Sequence, residues 1–356
     1  MERFLLINPF GIGDVLFTTA VIKAIKAGHP DAFVGYWCNI RVQGILKDNP
    51  DIDRVFALSR GDLKRIYNRS VSEGIWKLLS LLRQIKKERF SVLLDFSLDH
   101  RYSLIAKLLG IKRRIGFNYK KRGRFLTDKI DIEGYSSKHV VEYYLDLLKP
   151  LGIKSDTNSL YLNINGSEKI KSRGALRRLG IDTQQFLVGI APGAGGSWGK
   201  DAGLKHWPAI KFAQLADKIT SEFKAKIIIL CDESERPIAD VIVNTADSKP
   251  IDLAGKTTLE ELAAMIGSLN LLITNDGGPL HMAVALGIKT VSIFGPVDDR
   301  VYGPYPRDNK HIVIKGGLSC QPCYQQFRMP LCDKDRECIK SIPVDEVFLA
   351  ARSLIS

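Results

Sequence analysis

Long apolar runs are missing from this sequence of 356 residues, and none reaches the roughly 18 residues that a helix needs to span a bilayer. Residues 1–8 lead directly into a strand pattern and then glycines, without the longer apolar segment and small-residue cleavage site of a signal peptide. We therefore expect a cytoplasmic protein. Its 45% hydrophobic and 26% charged residues are typical of a soluble globular chain.

Two common nucleotide-binding patterns are also incomplete. Gly11 and Gly13 follow an apolar segment, but Leu16 stands where a dinucleotide fingerprint requires its third glycine. The spacing G-x-x-x-x-G-K-[ST] of a phosphate-binding P-loop is not found. These absences disfavour a dehydrogenase and a P-loop nucleoside triphosphatase.

Acidic residues are few relative to basic ones: 39 Asp and Glu stand against 52 Lys and Arg, which gives a formal net charge of +13. Such a charge favours polyanionic partners, whether nucleic acid, anionic lipid or phosphorylated substrates. Seven basic residues crowd one short stretch without an acid among them: Lys112, Arg113, Arg114, Lys120, Lys121, Arg122 and Arg124. Both an anion-binding segment and an ordinary solvated basic loop remain open as interpretations.

Six cysteines are present. Cys38 and Cys231 stand alone and are expected to be small buried hydrophobic residues, and we also expect Trp37 and Trp76 to pack in the interior. The remaining four fall in the last tenth of the chain, at Cys320, Cys323, Cys332 and Cys338. They could form a structural zinc site, but their spacing is looser than two C-x2-C pairs, and reduced, packed cysteines are the alternative.

Apolar segments with strand and helix periodicity alternate along the chain, which predicts an α/β fold with parallel sheets covered on both faces. The alternation predicts helices at 14–27, 76–87, 103–109 and 140–151, becomes irregular between residues 152 and 185, and then resumes. We therefore predict two Rossmann-like doubly wound domains, at residues 1–165 and 180–340, followed by a helix at 341–356. Ligands of such sheets bind at loops that follow the strands.

Three strand-end loops carry the candidate chemistry. In residues 8–14, Gly11 and Gly13 allow a close backbone approach, and Asp14 lies at a helix start, where it is either an N-cap or a functional carboxylate. Residues 191–200 form a glycine-rich segment with Ser197 and Lys200 that is suited to a phosphate, and Lys205 follows before a helix begins at Pro208.

The third loop, residues 274–281, places Asp276 before two glycines and Pro279 at a helix start. Free backbone N–H groups and the positive end of the helix dipole suit a diphosphate at such a site. The alternatives are a helix cap for Asp276 and an internally packed ring for His281.

Taken together, these loops resemble those of glycosyltransferase family 9, the bacterial heptosyltransferases of lipopolysaccharide core assembly. The resemblance spans essentially the whole chain, and its carriers are the motifs at 11–14 with Thr18 and Thr19, at 198–200, at 205–208, at 274–287 and at 294–296. It implies the GT-B fold, in which two Rossmann-like domains face a central cleft. It also implies that the acceptor binds the N-terminal domain and the nucleotide sugar the C-terminal one.

The resemblance further assigns roles to single residues. It implies that Asp14 is the general base of an inverting transfer that requires no metal, and that Glu235, or Glu233 in another register, contacts the donor ribose. The donor-binding set it implies is Lys205, Glu235, Asp276, Gly277, Gly278, His281, Ser197 and Lys200. The acceptor-binding set is Gly11, Gly13, Lys120, Lys121 and Arg122. Gly277 departs from the family, whose members usually carry Ser or Thr there.

The implied reaction moves heptose from ADP-heptose to a phosphorylated glycolipid of the lipid A type. The implied partners are therefore a nucleotide-diphosphate sugar, that glycolipid and the anionic inner-membrane face, with no nucleic acid. No cofactor is expected apart from the zinc alternative. A GT-B enzyme using another nucleotide sugar and a non-catalytic polyanion-binding protein are the competing hypotheses.

Overall fold

The computed structural model describes residues 2–155, 159–182 and 184–355, apart from the side chains at 196, 197 and 200. The chain divides into two compact units, residues 1–161 and 162–356. The division falls within the irregular region between residues 152 and 185 where the sequence predicts the domain boundary. Residues 162–179 belong to the second unit, where a helix at Gly166–Arg178 packs against the helix at Leu259–Ile266.

The first unit is built on a parallel sheet of six strands in the order β3-β2-β1-β4-β5-β6. The strands are β1 Arg3–Ile7, β2 Phe33–Cys38, β3 Arg54–Ala57, β4 Val92–Asp95, β5 Arg113–Tyr119 and β6 Asp128–Ile132. Its helices are α1 Ile12–Gly28, α2 Arg60–Tyr67, α3 Val71–Lys87, α4 His100–Leu108 and α5 Val140–Asp146. Helices α2, α3 and α4 pack on β1 and β4 through one apolar cluster, while α1 contacts α5.

The second unit repeats this architecture with the strand order β12-β11-β10-β7-β8-β9. Its strands are β7 Leu187–Ala191, β8 Lys226–Ile229, β9 Ile251–Asp252, β10 Leu271–Asn275, β11 Lys289–Phe294 and β12 His311–Lys315. The longer helices are α6 Gly166–Arg178, α7 Ala209–Phe223, α8 Arg236–Thr245, α9 Leu259–Ile266, α10 Gly278–Ala285 and α13 Val344–Ile355, and the shorter ones are α11 Asp299–Tyr302 and α12 Glu337–Lys340. The last helix, α13, buries Val347, Ala351 and Leu354 in the core of this unit.

The predicted fold class is confirmed, because each unit is a parallel six-stranded sheet with helices. The central strands are the apolar runs that the sequence shows, since a strand covered on both faces is apolar along its length.

The predicted start of α3 is five residues too late. The Ser70 side chain accepts a hydrogen bond from the backbone N–H of Glu73 and starts the helix at Val71. None of the helices in the described part of the chain combines the length and the apolar character that a bilayer span requires.

Both lone cysteines and one of the two tryptophans lie as predicted. Cys38, Cys231 and Trp37 are buried, and burial raises the pKa of each thiol to about 12. The prediction for Trp76 is wrong, because its side chain is 65% exposed on α3. The helix is already anchored by the opposite side, where Leu81 and Ile85 are buried, so Trp76 contributes nothing to that core.

Candidate functional site

The first loop is held in place by two buried amide side chains. Asn8 donates from Nδ2 to the backbone oxygen of Asp14 over 3.0 Å, and its Oδ1 accepts the backbone N–H of Phe10 over 3.1 Å. Asn39, at the end of β2, donates to the backbone oxygen of Pro9 over 3.0 Å. Since β1 pairs with β2, these bonds fix the loop over the carboxyl edge of the sheet.

Asp14 lies in the first turn of α1 and is half-buried. The N-cap residue of α1 is Gly11, which makes no side-chain capping bond, so the interpretation of Asp14 as the N-cap is wrong. A carboxylate in the first turn is favoured by the helix dipole. Burial raises the pKa of Tyr36 well above its ordinary value, and the nearby charge of Asp14 adds to this increase.

A pocket of about 450 Å³ lies in the first unit, where the loops after β1, β2, β3 and β4 meet. Sequence reasoning identified only the first of these loops, residues 8–14, and missed the other three. Its lining residues are Pro9, Phe10, Asn39, Arg41, Ser59, Arg60, Gly61, Asp62, Arg65, Ser97, Asp99 and Tyr102.

Three arginines give this pocket its positive groups, and one of its acids has a structural role. Asp62 accepts the backbone N–H groups of Ser59 and Ile40 at 2.7 and 3.0 Å and pairs with Arg65. Burial by itself would raise the pKa of Asp62, but these hydrogen bonds outweigh it and lower the pKa. Asp99 lies 3.7 Å from Arg60, so the three arginines exceed the two acids of the pocket by one positive charge, which favours an anionic or polyhydroxylated ligand.

The basic stretch 112–124 is not a single loop, because β5 runs through it. Arg113 donates to the backbone oxygen of Pro150, and Arg114 donates to the backbone oxygens of Phe125, Ile111 and Lys112. These two arginines therefore stabilise the unit. Further basic residues of the stretch are exposed at the turn after β5, namely Lys120, Lys121, Arg122 and Arg124.

This exposed group, the basic turn, lies at the carboxyl edge of the same sheet. Arg122 donates to the backbone oxygen of Leu98 over 3.5 Å, between the pocket-lining residues Ser97 and Asp99. The basic turn therefore borders the pocket and can add positive charge to it.

Asp95, the last residue of β4, is a buried carboxylic acid at the carboxyl edge of the first sheet, and its charge state should affect stability. Its carboxylate accepts hydrogen bonds from the Ser97 backbone N–H at 2.9 Å and hydroxyl at 2.6 Å. Burial raises the pKa of Asp95 from 3.8 to about 6, and the Ser97 bonds offset this only in part. Because the folded-state pKa is raised, the stability it contributes is present at low pH and lost as the pH rises through about 6.

We therefore expect Asp95→Asn to stabilise the protein by roughly 3 kcal/mol above pH 7 and to have little effect near pH 4. The amide oxygen can still accept both Ser97 bonds, so only the buried charge is removed. Thermal melts of the variant and the wild type, paired at each pH, measure this difference. A stability difference that stays constant between pH 4 and 8 would show that Asp95 does not titrate in this range.

In the second unit, the ends of β7 and β10 tie the second and third loops together. The Thr274 hydroxyl donates to the backbone oxygen of Ala191 over 3.0 Å, and Asn275 donates to that of Pro192. The Asn275 side-chain oxygen also accepts the backbone N–H of Trp207 over 3.1 Å. Because β7 and β10 are neighbours, residues some 80 positions apart form one rigid edge.

Glu235 lies against the glycine-rich loop. Its Oε1 accepts the backbone N–H groups of Ala194 at 2.8 Å and Gly195 at 2.9 Å. A Cβ added to Gly193 would come within 1.9 Å of this carboxylate, so glycine is required for the close approach. Burial is the main reason why the pKa of Glu235 is raised. The alternative residue, Glu233, has a side chain that is 77% exposed and 4.0 Å from Arg236.

Lys205 and Asp276 form a buried ion pair. Their side chains are 2% and 7% exposed, and Nζ lies 2.6 Å from Oδ2. The Lys205 ammonium also lies 4.1 Å from the centre of the Trp198 ring. A buried charge is stable only with such partners.

The remaining predicted donor residues lie beside this pair or outside the described part. Gly277 is the N-cap of α10, Gly278 begins that helix, and His281 is buried in it. A Cβ on Gly277 would meet the backbone oxygen of Ala194 at 3.3 Å, so the second and third loops are in contact. The side chains of Ser197 and Lys200 lie outside the described residues.

The four C-terminal cysteines lie close enough to influence one another. Burial, followed by the charges of Cys323, Cys320 and Cys332, raises the pKa of Cys338 to about 11. Cys320 and Cys332 are exposed free thiols rather than packed ones. Within the described ranges, no group of three or more His, Cys, Asp or Glu side chains has the arrangement of a metal site.

Known structures share this fold over the full length of the chain. A glycosyl transferase family 9 protein from Veillonella parvula has a TM-score of 0.84 and 23% identity, covering 99% of this chain and 97% of its own. The Escherichia coli ADP-heptose lps heptosyltransferase II has a TM-score of 0.76 and 18% identity, covering 100% and 98%. The fold is that of the GT-B glycosyltransferases.

Sequence comparison gives the family. Lipopolysaccharide heptosyltransferase 3 of Escherichia coli K12 is 25% identical over 351 residues, which is 96% of this chain and 95% of the relative. The family model of glycosyltransferase family 9 (heptosyltransferase) matches residues 78–330. The chain therefore belongs to glycosyltransferase family 9 and is a glycosyltransferase, which confirms the family that the three loops indicated.

Proposed function

We propose that this enzyme transfers heptose from ADP-heptose to a lipopolysaccharide core or lipid A-type acceptor, with inversion at the anomeric carbon. The observation that carries the proposal is the edge of the second unit where the Lys205–Asp276 pair lies beside the glycine-rich and α10 loops. The full-length similarity to a lipopolysaccharide heptosyltransferase, and the fold shared with an ADP-heptose enzyme, support the choice of sugar.

The donor is assigned to the second unit. As the bond from the anomeric carbon to the diphosphate oxygen breaks, the diphosphate gains negative charge, which Lys205 and the N-terminus of α10 can stabilise. Backbone N–H groups of the glycine-rich loop other than those of Ala194 and Gly195, which Glu235 holds, add to this stabilisation. With these groups in place, we expect transfer to proceed without a divalent cation.

Glu235 is assigned to the donor ribose. A carboxylate accepts hydrogen bonds from vicinal hydroxyl groups, and one that already holds Ala194 and Gly195 has a fixed position. We propose that Glu235 binds the ribose and keeps the glycine-rich loop in its binding conformation at the same time.

The acceptor is assigned to the first unit. Asp14 would take the proton from the attacking hydroxyl, with Gly11 and Gly13 allowing a close approach of the loop. The pocket with Arg41, Arg60 and Arg65 and the basic turn with Lys120, Lys121 and Arg122 supply positive charge for a phosphorylated glycolipid. A cytoplasmic enzyme with peripheral contact to an anionic membrane face fits this assignment.

Gly277 makes a different nucleotide sugar the second candidate. Family members usually carry a hydroxyl residue at this position, and here the loop at Ala194 lies too close for a side chain without a small shift. The contacts to the donor therefore differ at one point from those of such relatives.

Calorimetry and product analysis test the proposed function. We expect the full-length protein to bind ADP, but neither NAD nor duplex DNA, and to form a heptosylated acceptor that mass spectrometry detects, equally well with and without EDTA. Binding of another nucleoside diphosphate in place of ADP would overturn the heptose assignment. DNA binding without ADP binding would favour a polyanion-binding protein, and loss of turnover with EDTA that Mg²⁺ restores would contradict transfer without a metal.

A further inference from the structure

Helix α3 exposes four large apolar side chains. Val71, Ile75, Trp76 and Leu79 are 62%, 48%, 65% and 46% exposed. They lie on successive turns of one side of the helix, and we call them the α3 apolar face. Twelve large hydrophobic side chains are exposed in the described part of the chain, and four of them fall within these nine residues. Clustering of this kind, unlike scattered exposure, indicates an interaction surface.

The α3 apolar face is not needed to hold the helix on the protein. Leu81 and Ile85 are buried in the core of the first unit, and a Cβ on Gly74 would come within 2.5 Å of the Tyr67 ring of α2. The helix therefore packs closely through its other side. The exposed apolar residues remain available for a partner outside the fold.

The second half of the helix exposes mainly basic residues. Arg83, Lys86 and Lys87, in the second half of α3, are exposed. Residues 60–89 contain nine Lys or Arg and three Asp or Glu, a formal charge of +6 out of the +13 of the chain. A second copy of this chain docked on the same surface would bring two such segments together, and their repulsion disfavours it.

The α3 apolar face also lies one helix away from the proposed acceptor pocket. Helix α2 packs against α3 and contributes Arg60, Gly61, Asp62 and Arg65 to the lining of that pocket. A surface that bound α3 would therefore bring its own molecules close to the pocket.

We propose that the α3 apolar face docks the enzyme on an anionic lipid bilayer. Apolar side chains and a tryptophan enter the boundary between headgroups and acyl chains, while Arg83, Lys86 and Lys87 bind the anionic headgroups. The proposal rests on the proposed function, in that a lipid-anchored acceptor is what makes docking useful. It identifies the membrane contact with α3 rather than with the basic turn alone.

Vesicle flotation of the full-length protein tests this docking. We expect binding to vesicles containing phosphatidylglycerol, at least tenfold weaker binding to pure phosphatidylcholine, and at least a tenfold loss in the triple variant Ile75→Ser/Trp76→Ser/Leu79→Ser. The matched control is Ile170→Ser/Leu349→Ser, which removes apolar side chains that are 72% and 58% exposed in the second unit, and its binding should equal that of the wild type.

Three further readouts separate the possible outcomes. The triple variant should keep its ADP affinity and melting temperature and its turnover on a short water-soluble acceptor, but lose turnover on acceptor embedded in vesicles. Vesicle binding unchanged in the triple variant, or a dimer that the variant converts to a monomer in light scattering, would overturn the proposal. If the wild type binds vesicles through α3 but transfers no sugar, the docking stands and the proposed function fails.

If the triple variant misfolds, the single variant Trp76→Phe still tests the proposal. It preserves an apolar ring at the most exposed position of the α3 apolar face. Quenching of wild-type tryptophan fluorescence by brominated lipid should largely disappear in this variant while vesicle binding persists. Equal quenching in both proteins would place another tryptophan at the bilayer and contradict the assignment.

Discussion

Replacing Asp14 by Asn is expected to lower kcat by roughly 10²–10⁴-fold, because the amide preserves the shape of the side chain but cannot accept the proton of the acceptor hydroxyl. The N-cap of α1 is Gly11 rather than Asp14, and the loss of an interaction at a helix start lowers stability rather than turnover. Its first-turn carboxylate interacts with the helix dipole, and losing that interaction costs about 0.3–1 kcal/mol of stability. Steady-state kinetics and a thermal melt of the same preparation measure both effects.

A matched control exists at Glu261, which occupies the equivalent first-turn position of α9 and pairs with the Thr258 cap. Glu261→Gln should cost a similar amount of stability and leave kcat near that of the wild type. ADP affinity should be unchanged in both variants, because the donor is assigned to the second unit. If Asp14→Asn retains near wild-type turnover, Asp14 is not the general base.

The second large effect is expected at Lys205. Lys205→Met should lower kcat by roughly 10²–10³-fold, since it removes a positive charge that stabilises the departing diphosphate. It should also destabilise the fold by about 3–5 kcal/mol, because Asp276 would be left buried and unpaired, with a side chain only 7% exposed. Kinetics, ADP calorimetry and thermal melts measure these effects.

The double variant Lys205→Met/Asp276→Asn separates stability from chemistry. Removing both charges eliminates the unpaired carboxylate, so most of the lost melting temperature should return. Turnover should remain low, because no cation has been restored. A double variant with both stability and turnover close to those of the wild type would show that Lys205 serves only to balance Asp276.

Much of the site was predictable because its residues are adjacent in sequence. Gly11, Gly13 and Asp14 follow one strand, and Asp276 to Pro279 follow another, so local strand and helix signals were enough to place them at strand ends. Which of Glu235 and Glu233 contacts the glycine-rich loop was not predictable in this way. It depends on which side of the turn after β8 faces the glycine-rich loop, and this is set by the pairing of β7 with β8.

Local sequence signals were also insufficient for the basic stretch 112–124 and for helix α3. Composition marks residues 112–124 as basic, but only the pairing of β5 with β4 and β6 shows that Arg113 and Arg114 bind backbone oxygens while Lys120 and Lys121 remain exposed. Likewise, Trp76 was expected to pack because it is a large apolar residue, and its exposure follows from which side of α3 meets the core of the first unit.

The sequence by itself determined the two α/β units, the family and the three strand-end loops, because hydrophobic periodicity and glycine–proline signals act over a few neighbouring residues. Only the tertiary structure decided the pocket, the Lys205–Asp276 pair and the α3 apolar face. The pocket joins four loops between residues 9 and 102, and the ion pair joins residues 71 positions apart. Contacts of that kind depend on the strand orders β3-β2-β1-β4 and β11-β10-β7-β8, which no local pattern encodes.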